Sequence, residues 1–197
     1  PLRYNKESYR YDCSYTINAQ LPLVAGILWL LAALIFIHLL KPLNMKKNSY
    51  IPEGYNAISP ALAFKGTEKA IEWYKNVFNA EEKMRFNKPD KTIAHAELQI
   101  GDSIVMLSEE DPQYNKSPKT LNGNSMILNL YVPDADATVK KALDNKAKLL
   151  IEVKDQFYGD RSGRIEDPFG YSWVLATHVK DVSEKEMNQK AMEMAHN

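Results

Sequence analysis

The chain has a single cysteine, Cys13, in 197 residues, so it can assemble neither a disulfide framework nor a cysteine-based zinc site. Neither sign of charge is in excess, because 25 Lys and Arg balance 25 Asp and Glu. The basic surplus that a nucleic-acid-binding domain usually carries is missing, and no nucleic-acid partner is expected. No GxSxG elbow, glycine-rich phosphate loop or HExxH pair occurs, which leaves covalent catalysis without an obvious candidate. Disorder and collagen-like repeats are excluded by 45% hydrophobic and 10% aromatic residues, since such a composition can bury a core.

Long apolar runs are confined to one place. Residues 21–40 read LPLVAGILWLLAALIFIHLL, about 20 residues without formal charge, the length of a bilayer-crossing helix. The polar, tyrosine-rich stretch before it is not a basic n-region, so a membrane anchor fits better than a signal peptide. Lys41, Lys46 and Lys47 after the run, against Arg3, Lys6 and Arg10 before it, lean towards a cytosolic C-terminal side. A competing reading starts from Pro1 at the head of the chain and from Met45-Lys46-Lys47-Asn48, which looks like a natural beginning. Residues 1–44 are then foreign to the domain that occupies 45–197. The expected localisation is cytoplasmic, or membrane-anchored through 21–40 with the domain in the cytosol.

From residue 56 the hydrophobic periodicity predicts an α+β chain of two βαβββ modules, at about 56–110 and 125–178, with a C-terminal helix at about 183–195. In the first module a strand at Ala57 to Phe64 precedes a helix at Thr67 to Phe78, with Ala70, Ile71, Tyr74 and Phe78 at inward spacing. Strands at 82–86, 92–100 and 103–108 follow. The second module repeats the order with strands at 126–132, 148–153, 161–166 and 171–177 and a helix at 135–145. Gly101-Asp102 reads as a two-residue turn that pairs Glu97 with Met106 and sets His95 and Glu97 away from the helix. Asp167-Pro168-Phe169-Gly170 reads as a four-residue loop pairing Glu166 with Tyr171, Gly163 with Val174 and Arg161 with Ala176. Arg161 would then share a face with Val174. Trp173 reads as core, Trp73 as partly exposed or at a subunit contact, and Asp167 as the cap of its own turn.

The duplicated modules, the helix AIEWYKNVF, the strand HAEL, the run QFYGDRSGRIEDPFGYSW and the tail THVKDVSEKEM resemble the vicinal oxygen chelate superfamily, and most of all its PhnB-like glyoxalase/bleomycin-resistance-like proteins. The resemblance covers about Tyr55 to Met194. It implies two curved sheets that form a cleft, with one metal ligand on the first and last strand of each module in metal-dependent members. Those positions fall, to within a residue or so, on Ser59, Met106, Ile127 and Val174, which offer one hydroxyl and no convergent set of hard donors. No metal or other cofactor is therefore expected. The resemblance also implies a homodimer.

The candidate ligand-binding residues are His95, Glu97, Met106, Phe157, Tyr158 and Arg161. His95 and Glu97 suit ligand contact, a hydrogen bond within the sheet or, least of all, metal ligation, since two donors on one strand make at best half a site. Arg161 beside Phe157 and Tyr158 suits an anionic or flat ligand, or else an ion pair with Asp160 or Glu97. The leading expectation is a metal-free binder of a small organic molecule, of the bleomycin-resistance type. The alternative is a lyase, isomerase or dioxygenase with His95 as general base and Arg161 stabilising an enolate-like charge. A third reading, a membrane-tethered interaction domain, applies only if 21–40 is a native anchor.

Overall fold

The computed structural model describes residues 50–195; the apolar helix expected at 21–40 lies outside them. Among the described residues no helix is long and apolar enough to cross a membrane. The first module runs β1 (Ala61–Phe64), α1 (Thr67–Phe78), β2 (Glu81–Asn87), β3 (Ile93–Ile100) and β4 (Ser103–Glu109). A one-turn helix α2 (Pro118–Leu121) in the linker is followed by β5 (Ile127–Tyr131), α3 (Ala135–Asp144), β6 (Lys148–Asp155), β7 (Asp160–Glu166), β8 (Ser172–His178) and α4 (Glu184–Ala195). The modules repeat one topology, with sheet orders β1-β4-β3-β2 and β5-β8-β7-β6. In each, the first strand runs parallel to the last and the remaining pairs are antiparallel.

Most expected elements recur within a residue or two, and the departures have local causes. β1 starts at Ala61 rather than Ala57 because Pro60 has no N–H to give a ladder; only its carbonyl joins, accepting from Met106 N at 2.9 Å. Gly101, at φ +62°, supplies the left-handed turn that sets Ile100 opposite Ser103 and Glu97 opposite Met106. Gly66 at the N-cap of α1 offers no side chain. The Glu109 carboxylate caps the helix from β4 instead, accepting from Gly66 N at 2.8 Å and Thr67 N at 2.9 Å. Ser183 and Glu186 close a capping box on α4.

The two modules share one core, and this decides where a site can lie. From α1, Ala70, Ile71, Tyr74, Val77 and Phe78 meet Val139 and Ala142 of α3 and Ile165, Trp173 and Leu175 of the second sheet. Trp73 belongs to this core, at 9% exposure, and not to a surface. Its ring lies edge-on to Tyr74, Phe78 and Phe169, and its Nε1 donates to Asn145 O at 2.8 Å. α1 is covered from both sides, so its buried face is wider than a single inward stripe. Asp167 staples the junction: Oδ2 accepts from Tyr74 Oη at 2.5 Å and Trp173 Nε1 at 3.0 Å. Its Oδ1 takes the backbone N–H groups of Phe169 and Tyr171. Since the helix-side faces meet in one core, the other face of each sheet looks away from it.

Candidate functional site

Alternation along β3 buries Ala96, Leu98 and Ile100 in the core and sends His95, Glu97 and Gln99 to the open face. Glu97 is nevertheless only 5% exposed. Tyr55, from the segment ahead of β1, donates its phenol to Glu97 Oε2, and His95 Nε2 lies 3.0 Å from Oε1. These bonds, Tyr55 first, hold the Glu97 carboxyl below the usual glutamate range, and the same bond pushes the Tyr55 phenol up. Phe86 stacks on His95 with centroids 6.3 Å apart. Met84 and Phe86 are exposed beside it, and Met106 stands opposite Glu97 on one side and Ala61 on the other. His95, Glu97 and Met106 thus come together on one surface. Tyr55 was missed, because no alternation rule places a side chain that precedes its strand.

The open face of the second sheet differs from expectation by one residue of register. Asp167 N donates to Tyr171 O at 2.8 Å, so the loop holds five residues and Glu166 pairs with Ser172, Arg164 with Val174 and Arg161 with Thr177. A slip of one residue exchanges the faces. Arg161 therefore does not share a face with Val174. Its guanidinium is taken by Asp136 at the start of α3, at 2.5 and 2.7 Å, and by Asp155 at 3.0 Å. Neither Asp160 nor Glu97 is its partner. The arginine opposite Val174 is Arg164.

Phe157 and Tyr158 touch edge-on, 5.3 Å apart, but serve different surfaces. Tyr158 lines a cavity of about 290 Å³ with Ile151, Arg164 and Val174. Phe157 lines a groove of about 540 Å³ with Val179, Lys190 and Met194. At the far end of β7, Asp160, 6% exposed, accepts from Tyr131 Oη at 2.8 Å and lies 2.8 Å from His178 Nδ1. Each open face thus carries a buried carboxylate held by a tyrosine and a histidine.

The strand positions to which the family resemblance assigns metal ligands carry poor donors. By the resemblance these are Ser59 ahead of β1, Met106 on β4, Ile127 on β5 and Val174 on β8. One hydroxyl, one thioether and two aliphatic side chains do not make a donor set for a hard divalent cation. Among the described residues no group of three or more His, Cys, Asp and Glu could hold one.

The family model of the glyoxalase/bleomycin resistance protein/dioxygenase superfamily matches residues 58–175. An uncharacterized protein of Mycobacterium bovis, Mb0911c, is 36% identical over 140 residues, which span 69% of this chain and 91% of that protein. The X-ray structure of the Arabidopsis thaliana At5g48480 gene product is similar at TM-score 0.51 and 25% identity, covering 61% of this chain and 98% of that one. The PhnB protein of Bacillus cereus shares the fold, at TM-score 0.50 and 18% identity over 62% of this chain and 99% of that one.

Proposed function

Because the chain belongs to the glyoxalase/bleomycin resistance protein/dioxygenase superfamily, we propose that its open sheet faces form a metal-free cleft that captures a small organic molecule of partly aromatic character. One observation carries this reading. At the positions that the resemblance assigns to metal ligands, this chain has Ser59, Met106, Ile127 and Val174, and the open faces also expose Met84, Phe86 and Ile151. A face of that kind gains from covering an apolar body, and its carboxylates, Glu97 and Asp160, are each engaged by a tyrosine and a histidine. The cleft needs a second copy, because the two open faces of one chain look away from their common core and cannot close on each other. A homodimer that sets the first module of one chain against the second module of its partner supplies the missing wall.

The test is calorimetric titration of the full chain with a neutral flat probe, 2-naphthamide, with and without a chelator. Saturable binding that the chelator leaves unchanged supports the proposal. Binding that disappears with chelator and returns with manganese or zinc refutes it.

A second reading has its own observation. Glu97 engages His95 Nε2, so His95 Nδ1, with no partner among the described residues, can accept a proton as the base of a lyase or isomerase. In that case His95→Ala abolishes turnover while 2-naphthamide still binds.

A further inference from the structure

Three arginines lie among the described residues, and two of them are spent. Arg85 binds Glu68 and Glu82, and Arg161 binds Asp136 and Asp155. Arg164 has no carboxylate within ion-pair distance among the described residues. Its Nε donates to Ser172 Oγ at 2.7 Å, and Ser172 is itself buried. That bond ties the guanidinium down at one end and leaves Nη1 and Nη2 without an acceptor among the described residues.

The surroundings make this arrangement informative. Arg164 is half-buried on the open face of β7, opposite Val174. It lines the cavity of about 290 Å³ with Ile151, Lys154, Tyr158 and Val174. A cation kept beside apolar side chains without a counter-charge costs stability unless an anion completes it. The two terminal nitrogens of a guanidinium form a planar fork that matches the two oxygens of a carboxylate. Lys154, likewise without an ion pair among the described residues, adds a second positive charge at the rim. The cavity sits at the small end of the range of about 300–1,000 Å³ typical of ligand pockets, room for one or two fused rings.

We propose that Arg164 is the anion-recognising residue of this cleft and that the ligand is a flat, mainly apolar molecule bearing one carboxylate. The inference rests on reading the open faces as the binding surface. The carboxylate lies across the guanidinium fork, with the ring system over Ile151 and Val174 and beside Tyr158.

A pair of probes that differ only in charge separates the two ideas. The full chain is titrated by calorimetry with 2-naphthoate and, in parallel, with neutral 2-naphthamide. The naphthoate should bind tighter by about tenfold or more, the scale of a charge-assisted hydrogen-bonded pair. Arg164→Gln should erase most of that preference by lowering naphthoate affinity to near that of naphthamide, while Arg164→Lys, which keeps the charge and loses the fork, should retain an intermediate preference. Arg161→Gln should leave the preference intact. Equal affinity of the natural chain for both probes overturns the inference alone, as does a preference that survives Arg164→Gln. If neither probe binds a chain with a native circular dichroism spectrum and melting transition, the binding reading falls and the inference falls with it.

Discussion

Glu97 is nearly inaccessible, yet two hydrogen bonds keep its charged form favourable. The unfolded chain lacks Tyr55 and His95 at those distances, so its glutamate titrates near the ordinary value of 4.5 and the folded one lower. The stabilisation is therefore fully present above that value and is lost as pH falls through the lower, folded one. Glu97→Gln should cost about 1.5 kcal/mol near neutral pH, as for a hydrogen-bonded charged group. The difference in urea midpoint between the two proteins should shrink as pH drops below the ordinary glutamate value of 4.5 and through the lower, folded one; a constant difference would mean that the charge does not matter. Arg161 behaves differently. Its partners are solvent-exposed carboxylates, and such pairs contribute little, so Arg161→Ala should leave the urea midpoint and the affinity for both naphthalene probes nearly unchanged. The chemistry of these side chains was legible in the sequence, but the face each occupies was legible only where the turn was. Gly101-Asp102 fixed His95 and Glu97 correctly, whereas the loop after β7, read one residue short, put Arg161 on the open face that Arg164 shares with Val174.

At the scale of elements, that loop shows why register is the fragile step. DPFG reads as a four-residue turn, but Asp167 Oδ1 accepts from both Phe169 N and Tyr171 N, which draws a fifth residue into it. Tyr171 is further held by β1, where its hydroxyl accepts from Ala63 N and donates to Ala63 O, both at 2.9 Å. These contacts are long-range, and nothing in a window of neighbouring residues encodes them. Helix α1 was legible to the residue at both ends because its apolar spacing is local, while its second buried side, with Trp73, depends on the other module. The sequence reading of Asp167 as a turn cap was correct but incomplete, since the same carboxylate also binds Tyr74 and Trp173. Asp167→Ala strands those two donors in the shared core and should destabilise the chain by about 3 kcal/mol. Asp167→Asn, which keeps an acceptor, should cost less. Equal losses in urea unfolding would show that the charge, not the hydrogen-bond geometry, holds the junction.

For the whole molecule, packing both helix faces into one core has an unavoidable result: the two open sheet faces are left on opposite sides, with Phe86 58% and Tyr131 65% exposed. Apolar side chains grouped on a sheet face mark an interaction surface more often than a solvated one. A two-fold assembly covers both faces at once, because each copy offers one wall to each cleft, and an isologous interface needs no further surface. Sedimentation of the full chain should then give twice the chain mass. The area buried should fall at or above the range of about 1,200–2,000 Å² typical of specific interfaces. Phe86→Asp and Ile151→Asp place a charge on opposite walls of the same cleft, and each alone should yield monomers with native circular dichroism and at least tenfold weaker binding of 2-naphthamide, since a wall is lost. The coupling of the two readouts carries the claim. A chain that sediments as a monomer yet binds the probe at full strength would show that a single sheet face suffices, and the second copy would have no part in the site.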